Sequence, residues 1–389
     1  MVQEKIYLDN GASTRTDPRV VEAMLPYFTE RFGNASSLHT YGEEAKEALA
    51  ASRKSIADFI NARPNEVVFT SSGTESNNLA IKGVAYANKD KGRHIIVSSI
   101  EHDCIINSCR WLEEQGFSVT YLPVDRYGSV NPETLRSSMR KDTILVSVMH
   151  ANNEIGTIEP IVELGKICKE SGVYFHTDAC QSFGKLPIDV EKSNIDLMTI
   201  NSHKVYGPKG VGALYVREGV KISPWLHGGG HEFGLRSSTE NVSGIVGFAK
   251  AVELCSAELG TEPERLRGLQ DEIIGSAEEI SFAYLNGHRT LRLPNNVNLG
   301  FHGFEGEAIT LMLKLNDSGI AVSTGSACSS NQAVNTPSHV LLAIGLNPVE
   351  ARGALRITLG RYNTERDVDA LIGALPSAVK SLRSISSIA

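Results

Sequence analysis

The chain has 389 residues, 21% of them charged, and a formal net charge of −7. That length calls for a large unit with a smaller one beside it, and the acidic balance offers no footing for nucleic acid or an anionic membrane. No apolar run reaches the roughly 20 residues that cross a bilayer, and MVQEKIYLDNGAST shows no basic start with an apolar block, so a cytoplasmic location is expected.

In chain order, residues 41 to 62 predict an amphipathic helix with Ala45, Leu49, Ile56 and Ile60 on one face. Short apolar runs follow: EVVFT (66–70), HIIVSS (94–99), TILVSVM (143–149), VYFHT (173–177), DLMTI (196–200) and GALYV (212–216). Helical stretches separate the earlier ones. The alternation predicts an α/β fold, a mainly parallel sheet sandwiched by helices, with ligands at the carboxyl ends of its strands. A helix is expected near 240–258 and a charged helical stretch over 261–287. NNVNLGF, a helix near 304–317, GIAVS and a last strand–helix pair from about 354 to 383 predict a smaller α+β unit. The domains read as 15–260, and as 1–14 together with 261–389.

Four segments carry chemistry. TSSGTESNN (70–78) is a small-residue turn that opens a helix, and free backbone N–H groups there suit a phosphate. A plain capped loop would look the same. In HTDACQSFGK (176–185), Asp178 follows an apolar strand, where a carboxylate needs a cation or a cap. NSHKVYGPKG (201–210) puts Lys204 just past a strand, before a glycine-rich turn. A lysine there, near an aspartate and a phosphate cup, is what Schiff-base chemistry needs. STGSACSSN (323–331) sets Cys328 among Gly and Ser, as an accessible thiol would be. The six scattered cysteines form no CxxC pair, and His227 and His231 stand in a glycine-rich stretch, so no metal site is expected.

These motifs, with YLDNGAST, FGNASSLHTYG, SSIEHDCI, MHANNEIGT, GGGHEFGLRSST and LRITLGR, run nearly the whole chain in order. In them the sequence resembles the cysteine desulfurases of the NifS/IscS type, within the fold type I pyridoxal phosphate enzymes. The resemblance implies that Lys204 binds the cofactor covalently, that Asp178 pairs with its pyridine nitrogen, and that Gln181 hydrogen-bonds its phenolate oxygen. His102 would stack on the ring as an acid–base group. Gly73, Thr74, Asn201 and His203 would hold the phosphate, and Thr239 would reach the phosphate of a second subunit, which implies a homodimer. Asn153 and Arg356 would hold the carboxylate of L-cysteine. Cys328 would take the sulfur as a persulfide, leaving alanine, and pass it to an iron–sulfur scaffold protein of the IscU/NifU kind; it could also ligate a cluster in transit. Two departures stand out: Asn201 where the family has a serine, and Gly11 where alanine is common. A selenocysteine lyase, an aminotransferase and a non-catalytic assembly platform are the competing readings.

Overall fold

The computed structural model describes residues 5–280, 282–325 and 336–386. In chain order its strands are β1 (Ile6–Tyr7), β2 (Val67–Thr70), β3 (His94–Ser98), β4 (Ser118–Leu122), β5 (Thr143–Ser147), β6 (Tyr174–Asp178), β7 (Leu197–Asn201), β8 (Gly212–Val216), β9 (Ala283–Leu285), β10 (Asn296–Phe301), β11 (Ile320–Ala321) and β12 (Leu355–Thr358). The large sheet has the order β2-β8-β7-β6-β5-β3-β4. From β4 to β7 every pairing is parallel. β8 is antiparallel to both its neighbours, which turns β2 back into the direction of the parallel strands.

Successive residues along these strands feed two different cores, as the period of two requires. Val67, Phe69, Ile96, Val146, Phe175 and Met198 pack on one face, against the helices Thr40–Phe59, Ile161–Ser171 and Val242–Glu258. Val68, Ile95, Val97, Leu145, Leu197 and Leu214 pack on the other, against Gly73–Ala87 and Asp103–Glu114. Burial on both faces is why most of these strands read as unbroken apolar runs. The expected layering is present, with helices on both sides of a mainly parallel sheet.

A third core joins Leu8 to Leu266, Ile273, Val297, Leu299, Leu311, Leu355, Ile357 and Leu371. β12-β10-β9 form an antiparallel sheet, and β1 pairs in parallel with β11. The stretch 261–287 is not helical throughout. Its helix ends at Glu278, and β9 follows, because Ala283–Leu285 pairs with Leu299–Phe301. Among the described residues no helix is long and apolar enough to cross a membrane.

Candidate active site

The carboxyl ends of β2, β3, β5, β6 and β7 open into one pocket of about 540 Å³. The chain reverses its direction of travel across the sheet beside β3, so the loops diverge there and leave a crevice. Each strand contributes through its last residue or the segment that follows it. β2 gives Gly73 and Thr74, β3 His102, β5 Asn153, β6 Asp178 and Gln181, and β7 Asn201, His203 and Lys204.

The helix Gly73–Ala87 starts at the pocket, with Ser72 as N-cap accepting from the Glu75 N–H at 3.1 Å. Helix starts leave N–H groups unpaired and carry partial positive charge, which suits an anion. Gly73 is required by packing: a Cβ there would lie 2.7 Å from Cys180 Sγ and 3.4 Å from Asn201 Nδ2. Glu75 in turn pairs with Arg236 at 2.7 Å, which ties this helix start to the loop leading to Thr239.

Asp178 ends β6 with its carboxylate held on both oxygens. Oδ2 accepts from Asn77 Nδ2 at 2.7 Å, and Oδ1 from the Cys180 N–H at 2.9 Å. Both Asp178 and Asn77 are buried. His102 is the N-cap of the helix Asp103–Glu114. Burial, and next the charge of Lys204, lower its pKa, so the ring is neutral near pH 7.

The turn that carries Lys204 is bound to the start of the chain. Thr14 Oγ1 accepts from the Tyr206 N–H at 2.8 Å and donates to the His203 carbonyl at 2.9 Å. Tyr206 sits at φ 67°, a left-handed conformation that costs a bulky residue energy unless its surroundings hold it. Gly207 allows the turn to close: a Cβ there would lie 2.0 Å from Ser202 Oγ. Beneath the turn, the buried Lys185 donates to the carbonyls of Gln181 (2.9 Å) and Lys204 (3.3 Å). Burial pushes its pKa down to about 8. His203 is lowered to about 4, by burial first and then by Lys204.

Arg356 lies in the middle of β12, 1% exposed. It donates to the Asn153 carbonyl at 3.1 Å and to Asp9 Oδ1 at 2.9 Å, while its Nε has no partner among the described residues. The pocket edge at Asn153 is therefore within reach of a buried guanidinium with a donor to spare, and guanidinium recognises carboxylates. Asp9 feels opposing effects: burial raises its pKa, and Arg356 pulls it back.

Of the expected residues, nine line the pocket, and Arg356 touches one that does. Gln181 is in the lining, and one of its two amide N–H groups donates to the Gly11 carbonyl at 3.0 Å. Thr239 is exposed and does not line the pocket, on a loop whose neighbour Ser238 has φ 147°. Cys328 lies outside the described residues. Asn77, Cys104, Cys180 and Asp9 were not singled out from the sequence. Signals for two existed: Asn77 stands one helical turn after Gly73, and Cys180 two residues after Asp178. Asp9 comes from a tertiary contact across most of the chain. His302, Glu305 and Glu350 have ligand atoms close enough to share a metal ion, and none of them lines the pocket.

The family model described as class-V aminotransferase matches residues 6–371. A cysteine desulfurase IscS of Methanosarcina thermophila is 54% identical, over 98% of this chain and 93% of that one. Cysteine desulfurase IscS 1 of Archaeoglobus fulgidus is 53% identical, over 98% of each. Among solved structures, a NifS-like protein superposes with a TM-score of 0.90 at 38% identity, covering 97% of this chain and 99% of that one. Another, titled SspA in complex with cysteine, gives 0.81 at 40%, covering 92% and 100%. The chain belongs to the class-V aminotransferase family, whose cofactor is pyridoxal 5'-phosphate.

The residues present fit that cofactor. Among the described residues Asn201 Oδ1 and Asn77 Oδ1 find no partner and are buried, a state that native structures rarely leave unanswered. The helix start at Gly73, the carboxylate of Asp178 and the amine of Lys204 match a phosphate, a ring nitrogen and an aldehyde carbon.

Proposed function

We propose that this protein is a pyridoxal phosphate-dependent cysteine desulfurase. It converts L-cysteine to L-alanine and places the sulfur on Cys328 as a persulfide, for delivery to an iron–sulfur scaffold protein of the IscU/NifU kind. One observation carries the reading: Lys204, Asp178, His102 and the helix start at Gly73 converge on a single pocket, in a chain more than half identical to proteins named as cysteine desulfurases.

The cofactor, when bound, supplies an electron sink that labilises the α-proton and then the C–S bond of cysteine. Lys204 would anchor it and, once freed, take the α-proton at Nζ. Asp178 would keep the ring nitrogen protonated, with Asn77 and the Cys180 N–H orienting its carboxylate. Thr74, His203 and Asn201 would complete the phosphate cup. Arg356 and Asn153 would hold the substrate carboxylate, and His102 would exchange a proton with the reacting atoms. The Cys328 thiolate would attack the substrate sulfur. The S–S bond forms as the C–S bond breaks, and the α-amino acid leaves with a hydrogen in place of sulfur.

The protein acts in this reading as a cytoplasmic homodimer. Phe28, Phe32, Leu38 and Tyr41 are each more than half exposed, a large apolar surface for one chain to leave open. Thr239, on an exposed loop, would complete the partner subunit's phosphate cup. Residues 15–260 would form the cofactor domain, and 1–14 with 261–389 the domain that brings Arg356 and Cys328 to it. A scan of alanine and sulfide released from cysteine tests the proposal. The native protein yields both, and Cys328→Ser keeps its visible cofactor band, still binds cysteine and releases no sulfide. Full turnover by Cys328→Ser would remove Cys328 as the sulfur acceptor.

A further inference from the structure

Cys104 lines the pocket, yet the reaction above does not use it. It is the second residue of the helix Asp103–Glu114, two positions after the N-cap His102. Its backbone N–H points at His102 Nδ1, 3.2 Å away. Its Sγ lies 3.1 Å from the same nitrogen. Asn77 Nδ2 reaches that sulfur at 3.2 Å, and it also donates to Asp178 Oδ2. A chain of hydrogen bonds thus runs from the Asp178 carboxylate through Asn77 and Cys104 to the imidazole.

Chemistry sets the direction of each link. A backbone N–H can only donate, so His102 Nδ1 has to offer its lone pair. The Asn77 amide also donates, since its oxygen would repel the Asp178 carboxylate. The sulfur therefore accepts from Asn77, and its own hydrogen is free to point at Nδ1. That hydrogen is present, because burial, and then the charge of Asp178, push the thiol pKa up to about 12. A proton on Nδ1 would face the Cys104 N–H and the positive end of the helix. In the neutral ring this leaves the proton on Nε2. Nε2 makes no hydrogen bond to any described residue and belongs to a ring that lines the pocket. The charged groups around the ring are Lys204, Asp178, Asp103 and His339.

We propose that Cys104 is a positioning residue that locks His102 in the Nε2–H tautomer through its backbone N–H and its thiol, so that His102 meets the reaction as a proton donor. The division of labour that follows is simple: Lys204 Nζ takes protons from carbon, and His102 Nε2 delivers one where negative charge develops. What the tautomer does for cysteine rests on the reading of the pocket as a desulfurase site; the tautomer itself does not.

The test is the nitrogen spectrum of protein labelled with 15N-histidine, read with the cofactor bound and again after its removal. The His102 signals are identified by their loss in His102→Gln. The expected spectrum at about pH 8, above the ordinary histidine range, has a pyrrole-type Nε2 and a pyridine-type Nδ1. Cys104→Ser, which keeps both donors, matches the native spectrum. Proline is tolerated in a first helical turn, and Cys104→Pro removes both donors. In that variant the two nitrogens move toward averaged shifts, and kcat for cysteine falls about tenfold with KM unchanged. If Cys104→Pro does not fold, Cys104→Ala, which loses the thiol alone, shows partial averaging. Averaged shifts or a protonated Nδ1 in the native protein would overturn the proposal, as would a Cys104→Pro spectrum identical to the native one. Because the spectrum is also read without cofactor, a fixed tautomer with no desulfurase activity would sink the function and spare this inference.

Discussion

Lys204 and Arg356 are the two basic side chains on which the proposed chemistry turns, and they are housed in opposite ways. Lys204 sits on a tight turn past the end of a parallel strand, half-buried and lining the pocket, its carbonyl held by Lys185 and the backbone on either side of it by Thr14. Arg356 sits in mid-strand, fully buried, its guanidinium tied to Asp9 and to the Asn153 carbonyl. A group that must change partners during a reaction is held by its main chain. A group that only has to present charge is held by its side chain.

Substitutions should separate the two. Lys204→Ala abolishes alanine release, since nothing else on the turn replaces the amine; sustained turnover would put the reactive lysine elsewhere. Arg356→Gln should raise KM for cysteine by about 10- to 100-fold, the worth of a charge-assisted pair, with a smaller change in kcat. It should also lower the melting temperature, because Asp9 loses its partner in a buried setting. Steady-state kinetics that show the reverse split would mean that Arg356 acts in the chemical step instead.

At neutral pH the smallest effect, since it appears only in acid, concerns the scaffold under the site. His150 and His176 are buried, and burial lowers each to about pKa 4. Between about pH 4 and about pH 6.5 the unfolded chain binds protons at these positions that the folded chain does not. Stability therefore rises with pH across that window and falls on acidification. Replacing His150 by Gln removes one such proton, worth up to about 3 kcal/mol over the window. Melting curves of His150→Gln should be flatter in acid than those of the native protein. Equal slopes would show that His150 is not buried in the neutral form.

Legibility of the sequence followed the same division. Strands buried on both faces announce themselves as apolar runs, and β2, β3, β5, β6, β7 and β8 were all visible that way. β4 was not, because SVTYL is only partly covered, and β1 and β9 are too short to show a period. The reversed direction of β8 leaves no trace either, since a doubly buried strand reads alike both ways. In the site, two residues could be picked out by position: Asp178, which ends β6, and Lys204, just past β7. Gln181 was implied only by the resemblance, and the fold puts it in the pocket lining with one of its two amide N–H groups on the Gly11 carbonyl. Asp9, some 350 positions from Arg356, could come only from the fold.

The central claim is that this pocket holds pyridoxal phosphate on Lys204. Borohydride reduction of the cofactor-loaded protein, followed by digestion and mass mapping, tests it directly. A pyridoxyl group on the peptide that contains Lys204, and on no other, is the predicted result. Label on Lys185 or another lysine, or none at all, would contradict it.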